Sequence, residues 1–422
     1  MKKYIWLCNT IPKTAAKRYG LNDVLGVSWI DSTLPFFYKD KDTLLYILFP
    51  TNDGKLTEIK DGNFIYYPFQ NQKKNPYEYN AVLENKFYDL LTDIQPDIIH
   101  VFGTEYAHAL AMMHAVKKAS LQLNTLINIQ GLCTFISRHY YAFLSPSVIH
   151  SYTIRDFLRH DNIFQQRKKF EARGRHEGEA LKIAHHIAGR TEWDKACIRE
   201  INPHAQYYKC DEILRPAFYD KQWNSYECQK YSIFISQAYY PLKGFHILLE
   251  AASSLITKYP ELQIYTTGIS PFDKNWIRLD SYSKYIKTLI RKYELRNHVH
   301  YLGQLDEEEI CQQYLKANVF VSASSIENSS NSLSEAMMLG VPCVASDVGG
   351  TNSLFTHNVD GYLYQADAPY MLSYYIDNIF SDIEKANYFS HNARQHAREA
   401  HDKTKICQQL KGIYETIFNQ SE

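Results

Sequence analysis

The segment Val319–Gly350 concentrates the residues able to do chemistry. It reads as a buried strand ending near Ser322, a polar loop, and a helix beginning close to Ser332. Glu327 falls in the loop and Glu335 in the first turn of the helix. Backbone N–H groups at a helix start lack intrahelical partners and sit at the positive end of the dipole. Those of Ser330, Asn331 and Ser332 could therefore cradle a diphosphate. Two carboxylates beside such a cradle can accept hydrogen bonds from sugar hydroxyls. An alternative stays open for one of them. Ser332-x-x-Glu335 has capping-box spacing, so Glu335 could simply close its own helix, and Ser329, Ser330 and Asn331 are acceptable caps too. A second segment, Ser232–Glu250, reads as strand, polar loop, Pro241-Leu242-Lys243-Gly244 and amphipathic helix. Taken alone, Lys243 is more readily a solvated side chain than an anion ligand.

The elements that must position these groups are legible as alternating patterns. Tyr4–Leu7, Leu44–Phe49, Ile98–Phe102, Thr125–Ile129 and the shorter His185–Ala188 read as buried strands, with helix patterns at Glu78–Thr92 and Ala107–Ala119. Ser232–Ser236, Gln263–Thr267, His298–Leu302, Val319–Ser322 and Pro342–Ser346 form a second strand series. Helices at Phe245–Lys258, Ser281–Tyr293, Glu307–Lys316 and Ser332–Leu339 follow them. Strand–helix alternation implies doubly wound parallel sheets, and two series imply two Rossmann-like domains facing across a cleft. Ligands are then expected at the carboxyl ends of the strands. The polar, weakly periodic stretch Asp211–Lys230 marks the boundary, giving domains at 1–212 and 213–401. The last helix, about 402–422, could pack back on the first.

Bulk properties narrow the class. The 422 residues are 45% hydrophobic, enough for two cores. Lys and Arg total 46 against 46 Asp and Glu, which excludes the positive excess that a broad nucleic-acid footprint needs. Of the 34 tyrosines, some could stack on sugars, while most are expected in cores or interfaces. The eight cysteines stand singly, without CxxC or zinc spacing, as expected of buried thiols in a reducing compartment. The opening apolar run stops too early for a signal peptide and reads as a first strand, and no window is apolar enough to span a bilayer. A cytoplasmic location follows as an expectation. No G-x-G, P-loop or HExxH is present, which removes the usual dehydrogenase, kinase and zinc-protease signatures. Asp40-Lys41-Asp42 is nominally a metal-diphosphate triplet, but it sits in a charged turn and no metal is expected there. Asp161–Glu179 is strongly charged, with Arg167, Lys168, Lys169, Arg173 and Arg175. It reads first as a solvated helix face, and second as a docking surface for anionic lipid or a phosphate-bearing acceptor.

Glu327 and Glu335, followed by Ala336-Met337, Gly340-Val341-Pro342 and Ser346-Asp347-Val348-Gly349-Gly350, resemble the E-x7-E signature of family 4 retaining glycosyltransferases, which have the GT-B fold. Lys243-Gly244 resembles the Lys-Gly of that family. The Gly-Arg that should follow the preceding strand is replaced by Ser236-Gln237, so one cation is missing. The resemblance implies Lys243 and the backbone of Ser330–Ser332 on the donor diphosphate, Glu327 on the transferred sugar and Glu335 on the ribose. Gln237 and Gly303 join the donor side. It also implies that the leaving diphosphate takes the acceptor hydroxyl's proton on the same face, without a metal.

In the first half, Leu25-Gly26-Val27-Ser28-Trp29 stands where the family has a glycine-rich loop near the acceptor, with an ordinary turn glycine as the plainer reading of Gly26. Asp97-Ile98-Ile99-His100 matches a family strand, where His100 is expected to be structural. Gln130 replaces a family histidine that contacts the donor sugar. His108 could reach the cleft in its place, with a core or helix-surface histidine as the plainer reading. Gly189–Asp194 is a further stretch that could line the cleft. The implied setting is bacterial cell-surface polysaccharide biosynthesis, with a nucleotide-diphosphate sugar as donor, a UDP-sugar preferred, and no cofactor. The acceptor would be a glycan or lipid-linked, with peripheral contact at the inner face of the membrane and no nucleic acid. Two rivals are a nucleotide-sugar epimerase on the same fold and a non-catalytic nucleotide-sugar-binding protein.

Overall fold

The computed structural model describes all residues except 22–27, 39–41, 53, 71–77 and 422, and no side chains at 28, 29 and 421. Gly26 and part of the Asp40–Asp42 triplet therefore lie outside the described residues. The chain forms two compact units. One comprises Met1–Phe135, Lys169–Leu214 and His401–Glu422; the other comprises Ile136–Lys168 and Arg215–Ala400.

The first unit holds an eight-stranded sheet. Its strands are β1 (Lys2–Leu7), β2 (Thr43–Thr51), β3 (Ile59–Asp61), β4 (Phe64–Gln70), β5 (Ile98–Phe102), β6 (Thr125–Asn128), β7 (His186–Gly189) and β8 (Gln206–Lys209), in the order β3-β4-β2-β1-β5-β6-β7-β8. All neighbours are parallel except β3 and β4. Side chains alternate across a strand, so β1 feeds two cores. Ile5 and Leu7 pack on one face with Leu91, Leu110 and Val116; Tyr4 and Trp6 pack on the other with Leu410, Ile413 and Ile417. That second face is covered by the helix Lys403–Ser421. Its Tyr414 hydroxyl accepts from Trp6 Nε1 at 2.9 Å and meets His100 Nδ1 at 2.6 Å.

The second unit holds six parallel strands: β9 (Gln229–Ile235), β10 (Gln263–Thr266), β11 (Val299–Tyr301), β12 (Ala317–Ser322), β13 (Cys343–Ser346) and β14 (Gly361–Tyr364). Their order is β11-β10-β9-β12-β13-β14. β9 and β12 are central neighbours, with Ile233 opposite Val319 and Phe234 opposite Phe320. The loops leaving these two strands therefore emerge side by side.

Ile136–Lys168 groups with Arg215–Ala400 and not with the rest of the N-terminal domain expected at 1–212. Specific bonds explain the difference. Ser281 N–H donates to Asp156 at 2.8 Å, Ser325 Oγ donates to the His139 carbonyl at 3.1 Å, and His246 Nε2 meets the Ala142 carbonyl at 2.7 Å. Burial lowers the His246 pKa to about 4, so the ring is neutral. Its one proton faces the Ala142 carbonyl, and Nδ1 accepts from the Tyr282 hydroxyl at 3.0 Å.

Candidate active site

The site in the second unit is built by two glycines. Gly244 ends the turn Pro241–Lys243 in the left-handed region, φ 65°, and a Cβ there would lie 1.8 Å from the Ala323 carbonyl oxygen. Only glycine meets both demands. The close approach, with Ser325 N–H donating to the Leu242 carbonyl at 2.8 Å, fixes the Lys243 turn against the loop after β12. Gly349, φ 53°, does the same from the other side. Its Cβ would fall 2.0 Å from the Glu327 carbonyl oxygen, to which Gly350 N–H donates at 3.0 Å. Ser346 Oγ donates to the Ser324 carbonyl at 2.6 Å. The Ser-Asp-Val-Gly-Gly stretch is thus a brace for the Glu327 loop.

So held, Glu327 forms an ion pair with Lys243 and accepts from Ser324 Oγ at 2.7 Å. Burial alone would lower the Lys243 pKa, but the Glu327 carboxylate overcomes it and holds the ammonium above the ordinary lysine value. Lys243, Glu327, Ser236, Gln237, Ser330 and Ser332 line one narrow cavity. Ser330 caps the helix Asn331–Leu339, its side chain accepting from Leu333 N–H at 3.4 Å. Asn331 is the first residue of that helix, and Ser236 Oγ donates to Ser332 Oγ at 3.0 Å. The positive end of a helix dipole and one ammonium therefore converge, a setting suited to a polyanion. Gln237 is present but uncharged, its side-chain oxygen accepting from the Tyr240 hydroxyl at 3.2 Å. Gly303, φ 74°, is bonded in an antiparallel bridge to Gly268 at the neighbouring strand ends, outside the residues lining this cavity.

Glu335 does not close its helix, because the cap is Ser330 and the helix starts one residue before Ser332. Its carboxylate is gripped by Arg215, Nε to Oε1 at 2.7 Å and Nη2 to Oε2 at 2.6 Å. Burial raises the Glu335 carboxyl above its usual range while Arg215 pulls it back. Arg215 escaped sequence reasoning. It lies in the boundary stretch, 120 residues from its partner, and the only local cue was a cation before Pro216.

In the first unit His108 is a buried core histidine. Its Nε2 meets Asn9 Oδ1 at 3.0 Å, its ring stacks on Tyr106, and burial lowers its pKa to about 3. Gln130 donates to Asn128 at 2.8 Å and to Glu212, which pairs with buried Arg190 at 2.7 Å. Sequence reasoning also missed Glu105 and Glu177. Glu105 accepts from Asn9 Nδ2 and Gly131 N–H, both at 2.9 Å. Glu177 accepts from Cys133 N–H, Thr134 N–H and Thr104 Oγ1 at 3.0–3.1 Å, and burial pushes it up to about 7. Apart from Glu177, which lies on the helix Ile163–Ile183, these polar groups follow β1, β5, β6, β7 and β8, the strand ends where this fold class binds ligands. A cavity of about 480 Å³ lies elsewhere in the unit, between Lys17, Arg18, Pro35, Phe64 and Tyr66. Of the basic stretch, Arg167 rests on the Tyr141 ring and donates to the Ser137 carbonyl at 3.1 Å, and Arg173 donates to the Glu105 carbonyl at 2.7 Å. Among the described residues no group of three or more His, Cys, Asp or Glu could hold a metal ion, and no helix is long and apolar enough to cross a membrane.

Residues 217–396 match the family model described as "Glycosyl transferases group 1". The D-inositol 3-phosphate glycosyltransferase of Corynebacterium urealyticum is 26% identical over 182 residues, 43% of this chain and 42% of that one. Matches to the curated relatives cover between 33% and 50% of each relative's length. Sucrose-phosphate synthase from Thermosynechococcus elongatus superposes with a TM-score of 0.70 at 16% identity, covering 100% of both chains. Anabaena HepE in complex with UDP and glucose superposes at 0.66 and 17% identity, covering 99% of this chain and 100% of that one. The chain therefore has the GT-B fold, and its second unit carries the segment that matches group 1 glycosyl transferases.

Proposed function

We propose that the protein is a retaining, metal-independent glycosyltransferase. It moves a hexose from a nucleotide-diphosphate sugar, a UDP-sugar for preference, to a glycan or lipid-linked acceptor in cytoplasmic assembly of cell-surface polysaccharide. The observation that carries this reading is the Lys243–Glu327 pair at the N-terminus of the helix Asn331–Leu339. The match of 217–396 and the glycosyltransferase among the relatives support the reaction class. The UDP and glucose bound to HepE support the donor class.

In this reading Lys243 and the first turn of the helix hold the diphosphate. The donor displaces Glu327 from the ammonium, and the freed carboxylate accepts hydrogen bonds from sugar hydroxyls. The bond from the anomeric carbon to the diphosphate oxygen breaks, and the acceptor oxygen bonds that carbon on the same face. The acceptor's proton passes to the departing phosphate oxygen. Stabilising the leaving charge with fixed groups is the protein's contribution. Glu335, locked to Arg215, keeps its place beside the ribose. Gln130 and the strand-end groups of the first unit serve the acceptor side.

A thermal-shift screen with UDP, GDP, ADP and their sugars, with EDTA present, tests the donor assignment. Ligands that bind the folded state raise the midpoint by mass action. A shift with one diphosphate family that survives EDTA is expected; no shift with any overturns the donor site. The uncharged Gln237 favours a second reading, a nucleotide-sugar-binding protein without turnover. Donor binding with no transfer across an acceptor panel would select it. Conversion of the donor sugar without any acceptor would select an epimerase.

A further inference from the structure

Phe272, in the loop between β10 and the helix Ser281–Lys292, gathers three cations on one ring. The Lys287 ammonium lies 5.0 Å from the ring centroid, the Arg291 guanidinium 5.6 Å and the Arg296 guanidinium 4.0 Å. The ring is held in place by its own turn. Phe272 N–H donates to Ser270 Oγ at 3.2 Å, Asp273 N–H donates to the Ser270 carbonyl at 3.1 Å, and Lys274 ties the loop to Asp280 at 3.0 Å. A ring face attracts each cation weakly, whereas three like charges around it repel one another. The helix dipole does not account for the gathering. Arg291 stands in the last turn, where the dipole favours a cation, but Lys287 lies a turn earlier and Arg296 lies beyond the helix, in the turn Leu295–Asn297. Loop, helix and turn thus bring three cations to one point.

No carboxylate compensates them. Residues 281–297 carry five Lys and Arg against one acid, Glu294. Among the described residues neither Glu294 nor the exposed Asp273 forms an ion pair with any of the three, and Asp280 is spent on Lys274. The missing partner is therefore an anion from outside the chain. Two guanidinium forks match phosphate oxygens in pairs, and an ammonium adds a point charge, so a phosphoryl group with several charged oxygens fits better than a single carboxylate. The cluster is compact and the chain has no net charge, which does not suit an extended polyanion such as nucleic acid. We infer that Lys287, Arg291 and Arg296 form a second anion site, which binds the phosphoryl group of a small soluble phosphate compound beside Phe272. The site shares no residue with the Lys243–Glu327 cavity and does not depend on its assignment.

The test is calorimetric titration of the full chain with pyrophosphate at low salt, with EDTA present. Every protein carries Lys243→Met, so that the donor cavity contributes little. One variant adds Arg291→Met and Arg296→Met, and a second adds Arg291→Lys and Arg296→Lys. Methionine keeps an apolar stem over Phe272, and an unaltered unfolding midpoint without ligand checks folding. The Lys243→Met protein is expected to bind pyrophosphate, and less tightly as salt rises, because the cations are screened. The methionine pair should weaken binding by roughly tenfold or more, since two charge-assisted hydrogen-bonding groups are lost. The lysine pair should retain part of the affinity. UDP binding, read separately with Lys243 intact, should be the same with and without the methionine pair. No pyrophosphate binding to the Lys243→Met protein overturns the proposal, as does equal binding after the methionine pair is added. Flotation with phosphatidic acid vesicles that the methionine pair abolishes, without pyrophosphate binding, would assign the cations to a lipid headgroup and overturn the soluble ligand.

Discussion

Glu327 and Glu335 belong to one loop-and-helix segment, and each is paired to a cation, yet the two pairs differ in kind. Arg215 grips Glu335 with two nitrogens, and the carboxylate is only 7% exposed. Lys243 meets Glu327 as a point charge, and both side chains keep some solvent contact. A planar fork matched to a buried carboxylate costs a great deal to break and has little reason to open. A single ammonium on a flexible stem can exchange one anion for another. The same segment thus combines a fixed anchor with an exchangeable pair.

Removing the anchor's cation should have the largest effect. Arg215→Met leaves the Glu335 carboxylate buried and unpaired, and a loss of about 3–5 kcal/mol is expected in urea unfolding. A loss under about 1 kcal/mol would erase the contrast between the pairs. Lys243→Met should behave oppositely, changing stability by no more than about 1 kcal/mol while sugar transfer falls roughly 10²–10³-fold. Gly244→Ala stands between them. Strain and the clash with Ala323 should cost about 1–3 kcal/mol and weaken donor binding, read together by unfolding and calorimetry. Glu327→Gln sharpens the comparison further. Without its competitor Lys243 should bind UDP several-fold tighter, on the order of 1 kcal/mol, although transfer drops; weaker UDP binding would count against exchange. The smallest effect is a predicted flat line. The Lys243 ammonium has its pKa raised in the folded state, so its pairing is fully present below the ordinary lysine value and is lost only above it. UDP affinity should not change through deprotonation of Lys243 between about pH 6 and 9.

Much of this arrangement was legible because local patterns carry it. Buried strands announce themselves as apolar runs, whereas Gly349-Gly350 entered only as part of a family resemblance, and its bracing of the Glu327 loop became visible in the fold. What stayed hidden depends on partners distant in sequence. β4 contains Pro68, which argues against an inner strand. It is tolerated because β3 is short and pairs only with Phe64–Tyr66, leaving the Pro68 side of β4 open. Arg215 and Glu177 carry no periodic signal, and each becomes recognisable only when its partner is in place. His108 followed the plainer of its two readings, since a histidine among Asn9, Tyr106 and Phe69 satisfies itself.

The route of the chain has a consequence for synthesis. The path passes from one unit to the other after Phe135, after Lys168, after Leu214 and after Ala400. Asp156 leaves the ribosome well before Ser281, and Trp6 and His100 wait for Tyr414, 408 and 314 residues further on. Neither unit can close as its residues emerge, although domains generally fold as they are made. A nascent chain must hold the apolar face of β1 uncovered until the helix Lys403–Ser421 arrives. Division at Leu214 would yield two fragments that each lack a piece carried by the other, so the polypeptide behaves as a single folding job despite its two cores.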